Sequence, residues 1–295
     1  MLSISSELAA TVAAIIDTGS LDAAARALRI TPSAVSQRLK TLEQQLGRVL
    51  IVRGKPATAT ASGEAVVRMA RQIALLEHDA MESLGLGGPG ERVSIPLAVN
   101  ADSMSSWFLA PISRLAAEHA IDFDLHRDDQ SFTARLLESG EVMAAVTSES
   151  VPVPGCSVTA LGTLSYTAAA TPAFAERWFP DGITPDALRS APFVDFDRRD
   201  MLQQQWLSSN GVDASGVPRH HVPASHDFAV AVALGLGWGM LPAPQLAAPL
   251  ASGAVRTLGG APIRVPLYWQ QWNLRSDLLD AIASEIAAEA RSVLD

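Results

Sequence analysis

The sequence of 295 residues has almost no cysteine. Cys156 is the only one, so the chain cannot form an internal disulfide or a redox switch between two of its own thiols. A metal site that needs several cysteine ligands is not expected either. The lack of disulfides fits a reducing compartment, and we expect a cytoplasmic location.

The chain also lacks long apolar runs. Gly, Pro or a charged residue interrupts each of them, so no transmembrane helix and no membrane partner are expected. The first residues, MLSISSE, have neither the basic stretch nor the cleavage site of a secretory signal.

Familiar catalytic motifs are missing as well. No Gly-x-Ser-x-Gly is present, and the glycines of residues 234–239 do not follow a strand and open a helix, as a dinucleotide-binding loop does. His220 and His221 alternate faces of a predicted strand, so they cannot bind one metal together. We expect a protein that is not an enzyme and has no metal and no cofactor.

Negative charge outweighs positive charge over the whole chain, and only the N-terminal part has an excess of positive charge. The formal net charge of −9 argues against a protein that coats nucleic acid. Residues 1–60 hold seven Lys or Arg and four Asp or Glu, a net of +3, so the remainder carries −12. This suggests DNA at one end and a different ligand at the other, although charge alone leaves random surface variation equally open.

Residues 31–43 are the most informative stretch that is present. Thr31 is suited to cap a helix, and Pro32 would stand at its first position. Apolar residues recur at helical spacing and predict one buried face, formed by Val35, Leu39, Leu42 and Leu46. The opposite face carries polar side chains that can reach base edges and phosphates: Ser33, Ser36, Gln37, Lys40 and Gln44. Gly47 would end the helix.

Two shorter helices are predicted before this one, and a hairpin after it. The first helix ends at Gly19, and Ser20 caps the second, which runs to Leu28. A helix, a tight turn and a helix form the helix-turn-helix arrangement. Residues 49–52 and 57–60 read as two short strands around a basic turn, which would form a wing that reaches phosphate or the minor groove.

A long helix is predicted over residues 60–84. Its apolar stripe runs through Val66, Ala70, Ile73, Leu76, Ala80 and Leu84. We expect no partner for this stripe within the small N-terminal module, so pairing with a second chain would bury it, and a simple surface helix is the alternative. Residues 85–90 are a flexible linker by composition.

Strand and helix patterns alternate beyond residue 91. Strands are predicted at 93–99, 121–125, 142–147, 193–196, 220–222, 238–241 and 264–269. Helices are predicted at 103–119, 132–139, 187–189 (a helix end), 201–208, 228–234 and 278–294. Such βα repeats imply mostly parallel sheets with helices on both faces, and ligands of these folds bind at the carboxyl ends of strands.

The chain resembles the LysR-type transcriptional regulators over its full length. The segments PSAVSQ (32–37), LE (42–43) and LG (46–47) match that family's DNA-binding core, with Arg53, Thr60 and Gly63 in the wing and the following helix. GLGWGMLP (235–242) matches its late effector-domain segment, while Ile51 replaces a frequent Phe. The resemblance implies an N-terminal winged helix-turn-helix, mainly α, plus an α/β two-lobed effector domain like that of periplasmic binding proteins.

A closer resemblance is to the ArgP/LysG branch of that family. It rests on LAVNADS (97–103) with Trp107, GEV (140–142), RWFPDG (177–182) and LYW (267–269). Members of the branch sense lysine or arginine and activate genes for basic amino-acid export. The implied effector is L-lysine or L-arginine; another small metabolite is the alternative, and a solute-binding module of a transport system is a more distant one.

The resemblance also implies an organisation. A DNA-binding domain would span 1–59, a dimerising linker helix and hinge 60–90, and the effector domain 91–295. Lobe I would comprise about 91–163 and 268–295, and lobe II about 164–267. The partners would be double-stranded DNA with a pseudo-palindromic operator, a second copy through the linker helix with a tetramer also open, and RNA polymerase.

The DNA-binding candidates come from the third helix and the wing. Ser33, Ser36 and Gln37 would read bases, because Gln pairs with adenine and Ser bonds donors or acceptors. Phosphate contacts would come from Thr31, Arg38, Lys40, Arg53 and Lys55. A merely solvated helix face is the alternative for the basic side chains, and the helix-turn-helix context favours contact.

The effector-binding candidates follow predicted strands or open predicted helices. They are Asn100, Asp102, Ser103, Asp129, Thr147, Ser148, Asp197, His226 and Asp227. Donors at the start of a helix suit a ligand carboxylate, and carboxylates elsewhere suit an added positive charge, which must be paired when buried. Ordinary helix caps or surface turns are the alternative for each acid.

Overall fold

The computed structural model describes residues 3–86, 92–127 and 133–295. Its N-terminal part consists of α1 (Ser6–Thr18), α2 (Leu21–Ala27), α3 (Pro32–Leu46), β1 (Ile51–Val52), β2 (Thr58–Ala59) and α4 (Ala61–Ser83). β1 and β2 pair antiparallel, with Ile51 opposite Ala59, so the predicted wing is present with shorter strands than expected.

Local capping sets the ends of these helices. The Thr31 hydroxyl accepts a hydrogen bond from the Ala34 N–H at 3.2 Å, and Gly47 follows α3 in the left-handed conformation. Ser20 caps α2 in the same way, through the Ala23 N–H at 3.2 Å. Each cap satisfies a backbone donor or acceptor that the helix itself leaves open, and these three predictions are confirmed.

The first half of α4 belongs to the core of the DNA-binding module, contrary to expectation. Val66, Val67 and Ala70 are buried in one cluster with residues of α1, α2 and α3. The prediction that the α4 stripe lacks a partner within this module was therefore wrong for Val66 and Ala70. Helical periodicity shows which residues share a face, but not which neighbour covers it.

The second half of α4 has two different faces. Leu75 is fully buried in the core of the following domain. Leu76, Met81, Leu84 and Leu86 are exposed apolar side chains on or just beyond the same helix end.

The elements of the following domain alternate as predicted, with additions. In chain order they begin with β3 (Val93–Val99), α5 (Ala101–Ser106), α6 (Leu109–Glu118), β4 (Ile121–Arg127), α7 (Thr133–Ser139), β5 (Ala144–Thr147) and β6 (Cys156–Ala170). They continue with α8 (Pro172–Trp178), α9 (Pro185–Ser190), β7 (Phe193–Asp195), α10 (Leu202–Ser209), β8 (Arg219–His221) and α11 (Ser225–Ala233). The last are β9 (Gly239–Pro242), α12 (Ala243–Ala251), β10 (Arg256–Thr257), β11 (Ile263–Trp272) and α13 (Asp277–Val293).

Two long strands connect the lobes of this domain. The main sheet has the order β10-β6-β11-β5-β3-β4, with β9 also paired to β6, and β7 and β8 form a small parallel sheet. β3 pairs parallel with β4 and β5, whereas β11 pairs antiparallel with β5 and with residues 156–166 of β6. β9 and β10 also pair antiparallel with β6, so the expectation of mostly parallel sheets was wrong for the main sheet. Lobe I contains β3, β4 and β5, lobe II contains β7 to β10, and β6 and β11 run through both.

Several element predictions need correction. The helix predicted at 103–119 is two helices, because the chain turns at Trp107 and Phe108, whose rings are both buried in the core. The strand predicted at 142–147 begins at Ala144, and the one at 264–269 extends to Trp272. α8 and α12 were not predicted, since Pro172 and Pro244 were not recognised as helix-starting prolines.

Within the described ranges, no single helix is long and apolar enough to cross a membrane. α1 and α2 are long and apolar enough only when they are counted as one segment, and the two helices are bent by 116° relative to each other.

Candidate ligand cleft and DNA-facing helix

A cavity of about 650 Å³ lies between the lobes, where several strands end. β3 leads into it at Asn100 and Asp102, and the segment after β7 supplies its opposite wall with Asp197 and Asp200. The first residues of β11 border it as well. The cleft is thus built at the carboxyl ends of strands of both lobes, as α/β folds favour.

The cavity collects four of the nine predicted effector residues: Asn100, Asp102, Ser148 and Asp197. Ser103 and Thr147 are buried beside it without lining it. The structure does not bring His226 and Asp227 to the cavity; both are exposed on the first turn of α11, because the turn directs Ser225 inward instead. Asp129 lies outside the described residues.

Other lining residues were missed by the sequence analysis. The polar ones are Arg127, Tyr166, Arg199, Asp200, Gln203, Gln205, Gln245 and Arg264. Asp200 and Gln203 follow β7 closely, so the strand-end rule would have indicated them. Tyr166 and Gln245 reach the cleft from the middle of β6 and from α12, which no local pattern signals.

Asp102 is the centre of a hydrogen-bond network that joins the lobes. Its carboxylate accepts from the Tyr166 hydroxyl at 2.6 Å and from the Ser225 hydroxyl. The Gln245 amide donates to the hydroxyls of Ser225 and Ser105, each at 2.7 Å. Burial raises the pKa of Tyr166 well above its usual value, and the neighbouring Asp102 charge adds to this, so the phenol stays a proton donor to Asp102.

The turn after β7 holds two carboxylates in different environments. Burial disfavours the charge of Asp197, but the N–H groups of Arg199 and Asp200 donate to it at 2.7 and 3.1 Å, and its pKa is lowered overall. Burial raises the pKa of Asp200, and the charges of Asp102 and Asp197 add to this. Neutral backbone donors from Phe196 and Leu202 only partly offset it.

A third carboxyl group lies behind this turn. Asp195 on β7 is only 1 % exposed. Burial raises its pKa to about 7, the charge of Asp200 adds to the increase, and Arg219, whose Nη1 lies 3.4 Å from the carboxylate, opposes it. Three carboxyl groups are therefore clustered on the lobe II side of the cleft, and the pKa values of Asp195 and Asp200 are raised.

The buried acceptors of the cleft suit a ligand with many donors. Asn100 Oδ1, Gln203 Oε1 and Gln245 Oε1 are buried without a hydrogen-bond partner in the described structure. Such atoms are costly unless a ligand or water satisfies them. Within the described residues, no three His, Cys, Asp or Glu side chains converge as metal ligands. The cleft can therefore bind a cationic donor group through carboxylate and amide oxygens.

The predicted DNA-facing residues lie on the open side of α3 and on the wing. Ser33, Ser36, Gln37 and Lys40 are exposed on one face of α3, and Arg53 and Lys55 are exposed in the turn between β1 and β2. Two candidates have other partners as well. Thr31 caps α3. Arg38 forms an ion pair with Glu7 of α1, so a DNA phosphate would compete with Glu7 for Arg38.

A winged helix-turn-helix followed by a two-lobed ligand-binding domain defines the architecture of a one-component transcriptional regulator. Residues 7–64 match the family model described as bacterial regulatory helix-turn-helix protein, lysR family, and residues 89–290 match the LysR substrate binding domain. The chain belongs to the LysR family of DNA-binding transcriptional regulators, so it is not an enzyme, and the alternative of a transport-system binding module is overturned.

Relatives and solved structures resemble the whole chain. HTH-type transcriptional regulator LysG of Mycobacterium tuberculosis is 43 % identical over 281 residues, which cover 95 % of this chain and 92 % of that protein. The crystal structure of ArgP from Mycobacterium tuberculosis is similar with a TM-score of 0.86 at 41 % identity, and 99 % of both chains is covered. Full-length LysG of Corynebacterium glutamicum with bound effector Arg gives a TM-score of 0.76 at 37 % identity, again with 99 % of both chains covered.

Proposed function

We propose that this regulator senses a basic amino acid, L-arginine or L-lysine, and controls a gene for amino-acid export. The observation that carries the proposal is the cleft with Asp102, Asp197 and Asp200 in its wall. The similar LysG structure of Corynebacterium glutamicum has bound arginine, and a LysG of that organism, 40 % identical over 283 residues, is named a lysine export regulatory protein.

The charges in the cleft fit such a ligand at both ends. The carboxylates attract a side-chain ammonium or guanidinium. Arg127, Arg199 and Arg264 also line the cavity, and an α-carboxylate suits them. It would compete with Asp197 for Arg199 and with Asp295 for Arg264. A ligand that carries one negative and two positive charges uses both sets.

DNA binding is assigned to the residues of α3 and the wing predicted above. Ser33, Ser36 and Gln37 would contact bases, and the basic residues would contact phosphates. The exposed apolar side chains at the end of α4 support a homodimer joined through this helix, and a two-fold dimer reads a pseudo-palindromic operator. The domain boundaries predicted from the sequence, action in the cytoplasm and contact with RNA polymerase remain part of this proposal.

Closure of the lobes around the ligand is the proposed switch. Arginine or lysine shifts the equilibrium between two arrangements only by binding one of them more tightly. Contacts from both lobes to the same ligand supply this difference in affinity between the two arrangements. The change would reach the paired DNA modules through α4, which packs on both domains.

Isothermal titration calorimetry of the full chain tests the effector. L-arginine and L-lysine are expected to bind and to raise the melting temperature. L-norleucine, which keeps the lysine carbon chain but lacks the terminal ammonium, is the matched control and is expected to give no heat. Absence of binding by both basic amino acids would overturn the proposal.

The three arginines of the cleft favour one competing ligand class, an acidic metabolite. L-glutamate in the same titration separates the two. Binding of L-glutamate without binding of L-arginine would replace the basic effector by an acidic one, while the assignment to the family would stand.

A further inference from the structure

The two carboxylates that face each other across the cleft have different surroundings. Asp102 already accepts hydroxyl hydrogen bonds at both of its oxygens, from Tyr166 on β6 and from Ser225 on α11. Gln245 of α12 extends the network by donating to Ser225. Asp102 belongs to lobe I and these donors lie on β6 and in lobe II, so its hydrogen bonds link the two lobes.

Asp200 has no comparable partners. Its carboxylate accepts only the backbone N–H groups of Phe196 and Leu202, at 3.2 and 3.0 Å. Within the described part of the chain, no cationic side chain lies within ion-pair distance of it. A half-buried carboxylate that has only neutral donors is stabilised when a cation binds beside it.

Gln203 provides a second acceptor one turn along the chain. Its side chain is 1 % exposed and lines the cavity, and Oε1 has no hydrogen-bond partner. Asp200 precedes Gln203 by three positions at the start of α10, and both residues line the cavity. An unpartnered buried oxygen next to an uncompensated carboxylate indicates a ligand that brings several donors and a positive charge.

We propose that Asp200 and Gln203 form the subsite for the effector's side-chain cation, whereas Asp102 is a positioning residue that stabilises the closed arrangement of the lobes. This inference rests on the proposed basic effector and assigns different roles to the acids of one cleft. A guanidinium offers donors in a planar fork that reach a carboxylate and an amide oxygen together.

The test compares L-arginine with L-citrulline, which has nearly the same shape but no charge. Calorimetry on the full chain gives the ratio of the two affinities. In the wild-type chain, arginine is expected to bind at least tenfold more tightly. Asp200→Asn keeps the shape and removes the charge, so arginine affinity should fall by tenfold or more and the ratio should approach one.

Asp102→Asn separates the two roles. It weakens the link between lobes, so both ligands should lose affinity by a similar factor and the ratio should persist. Gln203→Met keeps the size and removes the acceptor, so arginine should bind several-fold more weakly. Asp181→Asn, an exposed acid of the same lobe outside the cavity, is the matched control and should bind as the wild type does.

Melting temperatures without ligand show whether each variant is folded, and Gln203→Met tests the subsite if Asp200→Asn is not. An unchanged ratio in folded Asp200→Asn, unchanged arginine affinity in Gln203→Met, or collapse of the ratio in Asp102→Asn would each overturn the assignment. Failure of the wild-type chain to bind any basic amino acid would instead overturn the proposed function, and this inference with it.

Discussion

Gly63 marks the closest approach of α4 to the wing. A Cβ at this position would lie 2.0 Å from the carbonyl oxygen of Leu50. We expect Gly63→Ala to destabilise the chain by about 1–3 kcal/mol, because α4 or β1 must move to relieve the overlap. Alanine is otherwise the better helix former, by about 1 kcal/mol, so the sign of the effect is diagnostic. Urea unfolding followed by circular dichroism measures it.

Ser62→Ala is the matched control, since it changes the neighbouring position of the same helical turn and adds no atom. Its stability should stay within about 0.5 kcal/mol of the wild type, as is usual for surface substitutions. A Gly63→Ala variant as stable as Ser62→Ala would contradict the packing seen here.

Whether the role of a single residue could be predicted depended on how close in the sequence its contact partners lie. Thr31 caps a helix that begins with the next residue, so a sequence pattern was enough. Asp102 was indicated because it follows a strand, but its partner Ser225 lies 123 residues away. Gln245 reaches the cleft from α12, whose orientation only the folded domain determines, and no pattern around it distinguishes it from a surface glutamine.

Helix α4 is the element that contacts both domains, and Arg71 makes the connection through side-chain atoms. Its guanidinium donates to Asp17 at the end of α1 and to the Gly140 carbonyl after α7. Gly140 has a positive φ, and a Cβ there would lie 2.7 Å from the Arg68 Cβ, so the close contact with α4 requires glycine. Arg71 thus links the DNA-binding module to lobe I by hydrogen bonds to both.

We expect Arg71→Ala to weaken the coupling between ligand and DNA. The ratio of DNA affinities with and without L-arginine should move towards one, because the two domains lose a shared contact, while the calorimetric affinity for L-arginine stays within about twofold. Gel shifts with the DNA upstream of the regulator's own gene measure the ratio. Arg92→Ala, which breaks an exposed ion pair with Asp122 in the effector domain, is the control. A full effector response in Arg71→Ala would contradict the prediction.

Element types were more predictable than their surroundings. The capping residues and the helical spacing of apolar residues predicted where α3 and α4 begin and end almost to the residue. The same period could not show that Val66 packs on the DNA-binding module while Leu75 packs on the effector domain. β6 and β11 were the hardest, because a strand shared by two lobes changes its buried face along its length.

At the scale of the whole molecule, the end of α4 leaves several apolar side chains exposed. Leu76 is 41 % exposed, Leu84 is 68 % exposed, and Met81 lies between them in sequence. α4 is buried at Val66 in the DNA-binding module and at Leu75 in the effector domain, so its exposed end is where a second α4 can pack. A dimer formed here would carry two copies of α3, as a two-fold operator requires.

The double variant Leu76→Glu and Leu84→Glu is expected to shift the chain from dimer to monomer, because two carboxylates on each helix would be desolvated and would repel their counterparts in the partner. Sedimentation velocity at micromolar concentration measures the shift, and DNA affinity should fall at least tenfold as the second half-site contact is lost. Val151→Glu, at a 74 % exposed valine of the effector domain, introduces a charge away from α4 and should leave both properties unchanged. A double variant that still sediments as a dimer would place the interface elsewhere, since no α4 pair tolerates four buried carboxylates.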